Sequence, residues 1–361
     1  MPDPAADLAI ERAECLLPGG VLAENLRFFI DTLGFRLDSI MPADDPRLAQ
    51  LSGHGLCLLL DTAYLGDPGI LRLRCTPQDL PATLVAPNGT RIEFAPLHPA
   101  MHMPPLRPSL SIQRGEAHAG VWKTGRAGMQ YRDLIPDRQG GQFIASHIRI
   151  AQGGPVGDNV HYHDIRLQLI YCYRGWVRLV YEDQGEPFVM HAGDCVLQPP
   201  HIRHRVLESS DGLEVIELGS PAEHMTYLDH EMNLPTGREL PAREFNGQRF
   251  MFHQAASATW PTDPASDWAV RDLGIGAATA GLAGARVLRR ASSRGADVAS
   301  VRQDNAFAFA FVLEGSMTLQ LDQQPATTLK TGDAFVIPTG MQQTFADCSP
   351  DWQLLQICQP A

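Results

Sequence analysis

Two histidines one residue apart are the clearest candidates for chemistry in this sequence. His161 and His163 stand in HYHDIRLQLIYCYRG, a stretch that otherwise reads as a β-strand, and Gln168 follows five residues after the second histidine. Alternate residues of a strand point to the same face, so the two imidazoles share one side. Imidazole suits iron, copper, nickel and zinc. The spacing therefore makes a metal site the first hypothesis to weigh against two ordinary polar strand residues.

An internal repeat indicates which elements would position such a site. AGDCVLQPPHIRH (192–204) and TGDAFVIPTGMQQ (331–343) share a Gly-Asp pair and a proline at equal offsets, and each follows a predicted hairpin, centred on Gly175 or Gly315. With 32 glycines and 28 prolines between short β-rich runs, the chain is predicted to be mainly β. We expect two copies of one small β domain, at 115–235 and 236–361.

The two copies resemble the cupin superfamily, whose domains are small β-barrels. The first cupin motif is HxH, three or four intervening residues, an acid, six further intervening residues and a glycine. His161, His163 and Gly175 match it, with Gln168 in place of the acid. A lone HxH would be weak evidence, but a matched second motif makes the signal specific.

The second cupin motif matches GDCVLQPPHIRH (193–204), which has the expected glycine, proline and final histidine. It departs from the family pattern at His201, which stands where cupins usually have a glycine. The resemblance implies that His161, His163 and His204 together bind one metal ion. Three imidazoles on neighbouring strands leave coordination positions open for water, substrate or O2.

Gln168 is expected to set the charge of this centre. Three neutral imidazoles and a neutral amide add no negative charge to a divalent ion, so the site is predicted to favour an anionic chelating ligand. Gln168 itself is either a fourth ligand or a hydrogen-bond partner of substrate or O2. The two-copy region is similar to gentisate and hydroxynaphthoate dioxygenases, which implies Fe2+. Mn2+, Ni2+, Zn2+ and Cu2+ stay open as alternatives.

The second copy lacks the metal-binding residues when the motif spacing of the first copy is applied to it. The motif spacing places Val301 and Gln303 at the two HxH positions, Ala308 at the acid position and Gln343 at the last histidine. These four do not form a competent ligand set. We therefore predict one metal ion per chain, in the domain at 115–235.

Three residues are candidates for contact with a substrate. His147 and Arg149 share one face of the preceding strand, SHIRI, and Arg149 is of a type that clamps a carboxylate with two hydrogen bonds. A solvent-facing pair is the alternative. Cys172 shares the face of Gln168 by alternation, so it either lines the barrel or is a small core residue.

Three other histidines flank the second motif or follow it. His201 is close enough to His204 to lie beside the site or at its rim. His224 and His230 fall in the segment that connects the two barrels, and we predict that both are surface residues.

The segment at 1–97 is predicted to be a different, α+β domain. A strand (LAIERAECLL) precedes an amphipathic helix (VLAENLRFFIDTLG), then strands and a hairpin at Asn88-Gly89. This βαβββ-type order resembles the glyoxalase or vicinal-oxygen-chelate domain. Such domains usually carry a histidine metal ligand near the position that Arg12 occupies in this sequence. Of the family's usual acidic or histidine ligands, only Glu93 has a plausible counterpart here. The resemblance thus implies packing or assembly, and the Pro-rich stretch at 98–114 is predicted to be a linker.

Composition and charge limit the classes of partner and the cellular compartment that the sequence predicts. The formal charge of −12 and the absence of a basic stripe argue against nucleic acid and anionic membranes. No apolar run approaches the length of a membrane span, and no secretory signal is visible. The seven cysteines lack CxxC spacing, which favours reduced thiols in a cytoplasmic protein. Cupins usually associate through their sheet edges, so the resemblance implies a homodimer.

The leading hypothesis is a mononuclear non-haem iron dioxygenase that acts on a small, chelating, anionic aromatic or oxo/hydroxy compound together with O2. Two other classes stay open. One is non-oxidative metal chemistry, such as isomerisation, lyase action or decarboxylation. The other is a cupin that binds a small molecule without catalysis.

Overall fold

The computed structural model describes residues 9–76, 80–115, 122–263, 268–291, 301–322 and 324–361, and of Asp263 and Val301 only the backbone. The chain divides into two compact units, Met1–Ala100 and Met101–Ala361. The described helices include none that is long and apolar enough to cross a membrane.

The N-terminal unit has a four-stranded sheet and a three-stranded sheet. Its elements are β1 (Cys15–Pro18), α1 (Leu22–Arg27, followed by a π-helical turn at Phe28–Thr32), β2 (Arg36–Met41), β3 (Leu48–Gly53), β4 (Leu56–Asp61), β5 (Ile70–Cys75), β6 (Leu84–Val85) and β7 (Arg91–Pro96). The strand orders are β1-β4-β3-β2 and β5-β7-β6. β1 runs parallel to β4, and the other pairs of the first sheet are antiparallel.

The predicted βαβββ element order and the helix ending before Gly34 are both present. The helix buries Leu22 and Phe29 in a core shared with Leu51 and Leu58, as its apolar periodicity indicates. The first strand is shorter than predicted: of LAIERAECLL, Leu8 lies outside the described residues, and pairing with β4 begins only at Cys15.

Glu93, the one candidate ligand in the N-terminal unit, is engaged by arginines. Its carboxylate lies 2.7 Å from Arg72 and 2.6 Å from Arg91. A hydrogen bond from Arg72 holds the pKa of this carboxyl below its usual value. Arg12, which stands near the position of that domain's usual histidine ligand, lies in an exposed segment outside the strands.

The first β domain of the second unit is built from two packed sheets. Its strands are β9 (Lys123–Thr124), β10 (Gln130–Asp133), β11 (Ile144–Ile150), β12 (Gly154–Pro155), β13 (His161–His163), β14 (Leu167–Arg174), β15 (Trp176–Tyr181), β16 (Phe188–His191), β17 (Cys195–Leu197), β18 (His204–Ser209), β19 (Leu213–Ser220) and β20 (Thr226–Leu228), preceded in the chain by β8 (Ser111–Gln113). One sheet has the order β17-β14-β19-β11-β10-β9 and the other β16-β15-β18-β13-β20.

The second β domain repeats this arrangement. The remaining elements are β21 (Glu244–Phe245), β22 (Gln248–Arg249), β23 (Met251–His253), β24 (Thr262–Asp263), β25 (Trp268–Asp272), α2 (Ile275–Ala278), β26 (Gly284–Arg290), β27 (Val301–Arg302), β28 (Phe307–Glu314), β29 (Ser316–Leu321), β30 (Thr327–Lys330), β31 (Ala334–Val336), β32 (Gln342–Ala346) and β33 (Gln353–Gln359). Its sheets have the orders β24-β25-β26-β33-β28-β31 and β27-β32-β29-β30. The mainly β, tandem fold class is thus confirmed, although each domain is a pair of facing sheets and not a closed barrel.

The two β domains exchange edge strands and share a core. β8, from the predicted linker, pairs with β31 of the second domain, and β23 pairs with β17 of the first domain. The large sheets pack face to face through an apolar layer in which the Phe143 and Phe307 rings stack with centroids 3.7 Å apart. The domain limits at 115, 235 and 236 stay predictions. The edge exchange makes the two domains one packed body.

Candidate metal centre

Three histidines meet between the two sheets of the first β domain. His161 lies directly opposite His204 in the β13–β18 ladder, and His163 is two residues along β13 on the same face. The ring centroids of His161 and His204 are 4.1 Å apart, and one nitrogen from each of the three rings falls within 4.8 Å of the others. The structure therefore brings together the three residues that the motifs selected.

Each of these rings has its Nδ1 atom within hydrogen-bond distance of a neighbour, so Nε2 is the atom that could bind a cation. His161 Nδ1 donates to the Asn159 carbonyl at 2.8 Å and His204 Nδ1 donates to the Ile202 carbonyl at 3.0 Å. His163 Nδ1 lies 2.9 Å from the hydroxyl of Thr226. His161 Nε2 is buried and has no hydrogen-bond partner. A buried lone pair without a donor is costly, so these residues fit a metal ion with their Nε2 atoms turned towards it.

All three imidazoles are held neutral, which is the form that binds metal. Burial, followed by the nearby His161, lowers the pKa of His163 to about 2. Burial also keeps the pKa of His204 well below its usual value and lowers that of His161, with Arg126 adding to the effect on His161.

We expect the metal-free protein to lose stability as the pH falls below about 6.5, where histidines of the unfolded chain become protonated. The depressed folded-state pKa means that the unfolded state binds more protons in this range, so the free energy of unfolding drops with pH. His163 alone contributes a loss of about 1.4 kcal/mol by pH 5.5. Chemical denaturation of metal-free protein between about pH 7.5 and 5.5 measures this. His163→Gln should flatten the pH slope, and an unchanged slope would contradict the assignment.

Gln168 is part of a buried hydrogen-bond chain that reaches His204. Tyr181 donates its hydroxyl proton to Gln198 Oε1 at 2.9 Å, and the Gln198 amide nitrogen lies 3.0 Å from His204 Nε2 and 3.3 Å from Gln168 Oε1. Gln168 Nε2 in turn donates to Glu217 Oε1 at 2.6 Å. Both ends of the Gln168 amide are therefore engaged, which favours its role as a hydrogen-bond partner over that of a fourth ligand.

The expectation that the protein brings no negative charge to this site is corrected by Glu217. Its carboxylate lines the same cavity and accepts from Gln168, although it is not within the three-histidine cluster. Leu213, Val215 and Glu217 alternate along β19 on the cavity face. A carboxylate on an otherwise apolar strand face was the signal that could have identified this residue.

His224, predicted to be a surface residue, is half-buried in the structure. It lines the cavity, and its ring packs edge-on against His163 with centroids 5.4 Å apart. β20 pairs with β13, setting His163 opposite Thr226, so this part of the connecting segment borders the cavity. His201 is 43% exposed in its side chain and contacts Asp164, which places it outside the three-histidine cluster.

The cavity itself has a volume of about 470 Å3 and mostly apolar walls, including Met129, Ile148 and Val206. Arg126 lies next to the histidines, with Nη1 3.5 Å from His161 Nδ1. Arg126 also pairs with the buried carboxylate of Asp158. Neither residue was a candidate from the sequence, because both lie outside the two motifs.

The three proposed substrate contacts have different surroundings. Arg149 reaches the cavity lining, but its guanidinium packs 4.1 Å over the Trp122 ring and donates to Gln130 at 2.7 Å. His147 does not line the cavity. It is buried on the face of β11 opposite to the cavity residues Ser146 and Ile148, where Nε2 donates to Glu214 at 2.6 Å.

Cys172 is a core residue and not part of the cavity wall. It is fully buried in the apolar cluster between the two sheets. Burial raises the pKa of its thiol to about 12. Of the two interpretations given for Cys172, the structure thus supports the small core residue.

The register of the second β domain agrees with the motif count. Val301 lies opposite Gln343, as His161 lies opposite His204. Gln303 is buried and its amide oxygen accepts from the backbone of Asn305 at 2.7 Å. Among the described residues, this domain contains no cluster of three or more potential metal ligands.

Comparison with known families supports the same division of the chain. Residues 146–218 match the family model of the cupin domain, and residues 299–348 match that of the EutQ-like cupin domain. No curated protein matches the chain.

Several solved structures share the fold at low sequence identity. Salicylate 1,2-dioxygenase from Pseudaminobacter salicylatoxidans aligns with a TM-score of 0.55 and 14% identity over 71% of this chain and 86% of that one. Its adduct with gentisate gives 0.52 and 14% over 71% and 82%. The protein Ylba from E. coli gives 0.51 and 12% over 70% and 91%. The family matches identify a cupin domain at 146–218 and an EutQ-like cupin domain at 299–348, and the shared folds agree with two cupin-like β domains in tandem.

Proposed function

We propose that this protein is a mononuclear non-haem Fe2+ dioxygenase for a small, chelating, anionic aromatic or oxo/hydroxy compound. The observation that carries the proposal is the convergence of three neutral imidazoles, His161, His163 and His204, in a largely apolar cavity. When bound, an Fe2+ ion supplies the coordination of a two-oxygen ligand and the electron transfer to O2.

The residues of the cavity have distinct tasks in this proposal. The apolar walls exclude water from the substrate, and Arg126 supplies a positive charge next to His161 for a substrate carboxylate. Glu217 accepts the proton that a phenol or enol loses when it binds as an anion. Gln168 keeps that carboxylate in place through its 2.6 Å hydrogen bond.

Oxygen uptake tests the proposal. One structural neighbour is a salicylate dioxygenase and another is its gentisate adduct, so salicylate and gentisate come first in a panel of hydroxy acids, phenols and diketones. With protein loaded with Fe2+, we expect at least one compound to be consumed together with O2 in a one-to-one ratio. Protein that binds Fe2+ stoichiometrically but consumes no O2 with any compound would contradict it.

A second candidate is non-oxidative chemistry, in which the ion acts as a Lewis acid for isomerisation, lyase action or decarboxylation. The observation in its favour is Glu217, a carboxylate in the cavity able to act as a general base. Turnover under strict exclusion of O2 would assign the protein to this class.

We further propose that the N-terminal unit is a glyoxalase-like domain used for packing or assembly, and that the protein is a cytoplasmic homodimer. The support for the first part is the β1-β4-β3-β2 order with the helix after β1. Sedimentation of the full chain and of a chain beginning at Met101 would test the assembly role, with dimer formation expected to weaken in the shorter chain.

A further inference from the structure

The second cupin domain has a cavity of its own, although it lacks the histidines. Its volume is about 420 Å3, close to that of the first cavity. Pockets of this size hold small organic ligands. The lining combines an arginine and amide side chains with an apolar inner wall.

Strand register shows what replaced the polar groups of the first site. Ser146 lies opposite Glu217 in the β11–β19 ladder, and Arg286 lies opposite Gln356 at the equivalent place in the β26–β33 ladder. A carboxylate has therefore been exchanged for an amide, and a hydroxyl for a guanidinium. The charge of this residue pair changes from negative to positive.

Small residues open the space next to this arginine. Gln168 lies opposite Gly219, and its equivalent, Ala308, lies opposite Cys358. Ala310 and Gly284 also line the cavity. The cavity has lost side-chain volume at Ala308, the position that Gln168 occupies in the first domain.

Arg286 is free to bind an anion. Its Nε donates to Gln356 Oε1 at 3.0 Å, and among the described residues no carboxylate lies within 4 Å of its guanidinium. The side chain is exposed and lines the cavity, so it stands at the mouth. Gln343, at the position of His204, adds an amide to the lining.

We propose that the second cupin domain binds a small organic monocarboxylate without a metal ion. The carboxylate group contacts Arg286 at the mouth, where a guanidinium can form two charge-assisted hydrogen bonds. The apolar part of the ligand points inwards to Ala310, Phe335 and Ile337. Asp272 lines the same cavity and lies opposite Arg286 in the β25–β26 ladder, which disfavours a second negative charge on the ligand.

Calorimetric titration of the full chain with benzoate tests this proposal. The protein is first stripped of metal with a chelator, so that no ion in the first cavity binds the probe. We expect one benzoate per chain, and at least about tenfold weaker binding of neutral benzamide and of the dianion phthalate. Absence of benzoate binding, or equal binding of benzamide, would overturn the proposal.

Two variants and a matched control locate the probe. Arg286→Gln should weaken benzoate binding at least about tenfold, and Ala308→Leu, which fills the cavity, should do the same without a change of charge. Arg149→Gln removes an arginine from the lining of the first cavity and should leave the affinity unchanged. If Arg149→Gln weakens binding and Arg286→Gln does not, the probe occupies the first cavity and the proposal is wrong.

Discussion

Replacement of His161 by alanine should abolish stoichiometric metal binding, with an affinity at least about a hundredfold below that of the wild-type protein. His161 is fully buried and its Nε2 has no hydrogen-bond partner, so the alanine variant has two imidazoles and a void where the third ligand stood. Competition with a chromophoric chelator measures the loss.

His201→Ala is the matched control for this experiment. His201 belongs to the second cupin motif and lies three residues before His204, but its side chain is 43% exposed and its Nε2 is 2.9 Å from Asp164. The control should keep wild-type metal affinity. Equal loss of metal affinity in both variants, or retention of metal by His161→Ala, would contradict a metal centre formed by His161, His163 and His204.

Substitution Gln168→Glu should lower the free energy of unfolding of the metal-free protein by about 1–3 kcal/mol at neutral pH. The wild-type amide donates to Glu217 at 2.6 Å. A carboxylate in its place removes the donor and sets two negative charges against each other, which raises the pKa of one of them. Denaturant unfolding of chelator-treated protein measures the change.

The double variant Gln168→Glu/Glu217→Gln provides the control for this pair. It restores one amide and one carboxylate with donor and acceptor exchanged, so most of the lost stability should return. A double variant no more stable than Gln168→Glu would show that the Gln168–Glu217 contact does not account for the effect.

The parts of the site that follow local rules could be predicted from the sequence. Strand alternation is enough to set His161 and His163 on one face, and the motif count that assigned Val301 and Gln343 to the equivalent positions matches the register of both domains. The motif spacing of the first copy assigns the correct positions in the second because both copies keep the same hairpins and turns. Cys172 follows the same alternation, but alternation cannot tell a cavity wall from the core beneath it.

The missed residues depend on contacts between distant segments. Glu217 lies on the cavity face of β19, but only the pairing of β19 with β14 brings its carboxylate to Gln168. His224 reaches His163 because β20 adds to the edge of the sheet at β13. The exchanged strands β8 and β23 have three residues each, too few for a periodic pattern to predict them.

The metal content of protein purified without added metal, determined by elemental mass spectrometry, tests the central claim most directly. We predict one ion per chain, bound by His161, His163 and His204, with iron as the element. The second domain, with glutamine at two of the equivalent positions, should add none. Two ions per chain, or none after loading with Fe2+ under exclusion of O2, would contradict a single metal centre in the first cupin domain.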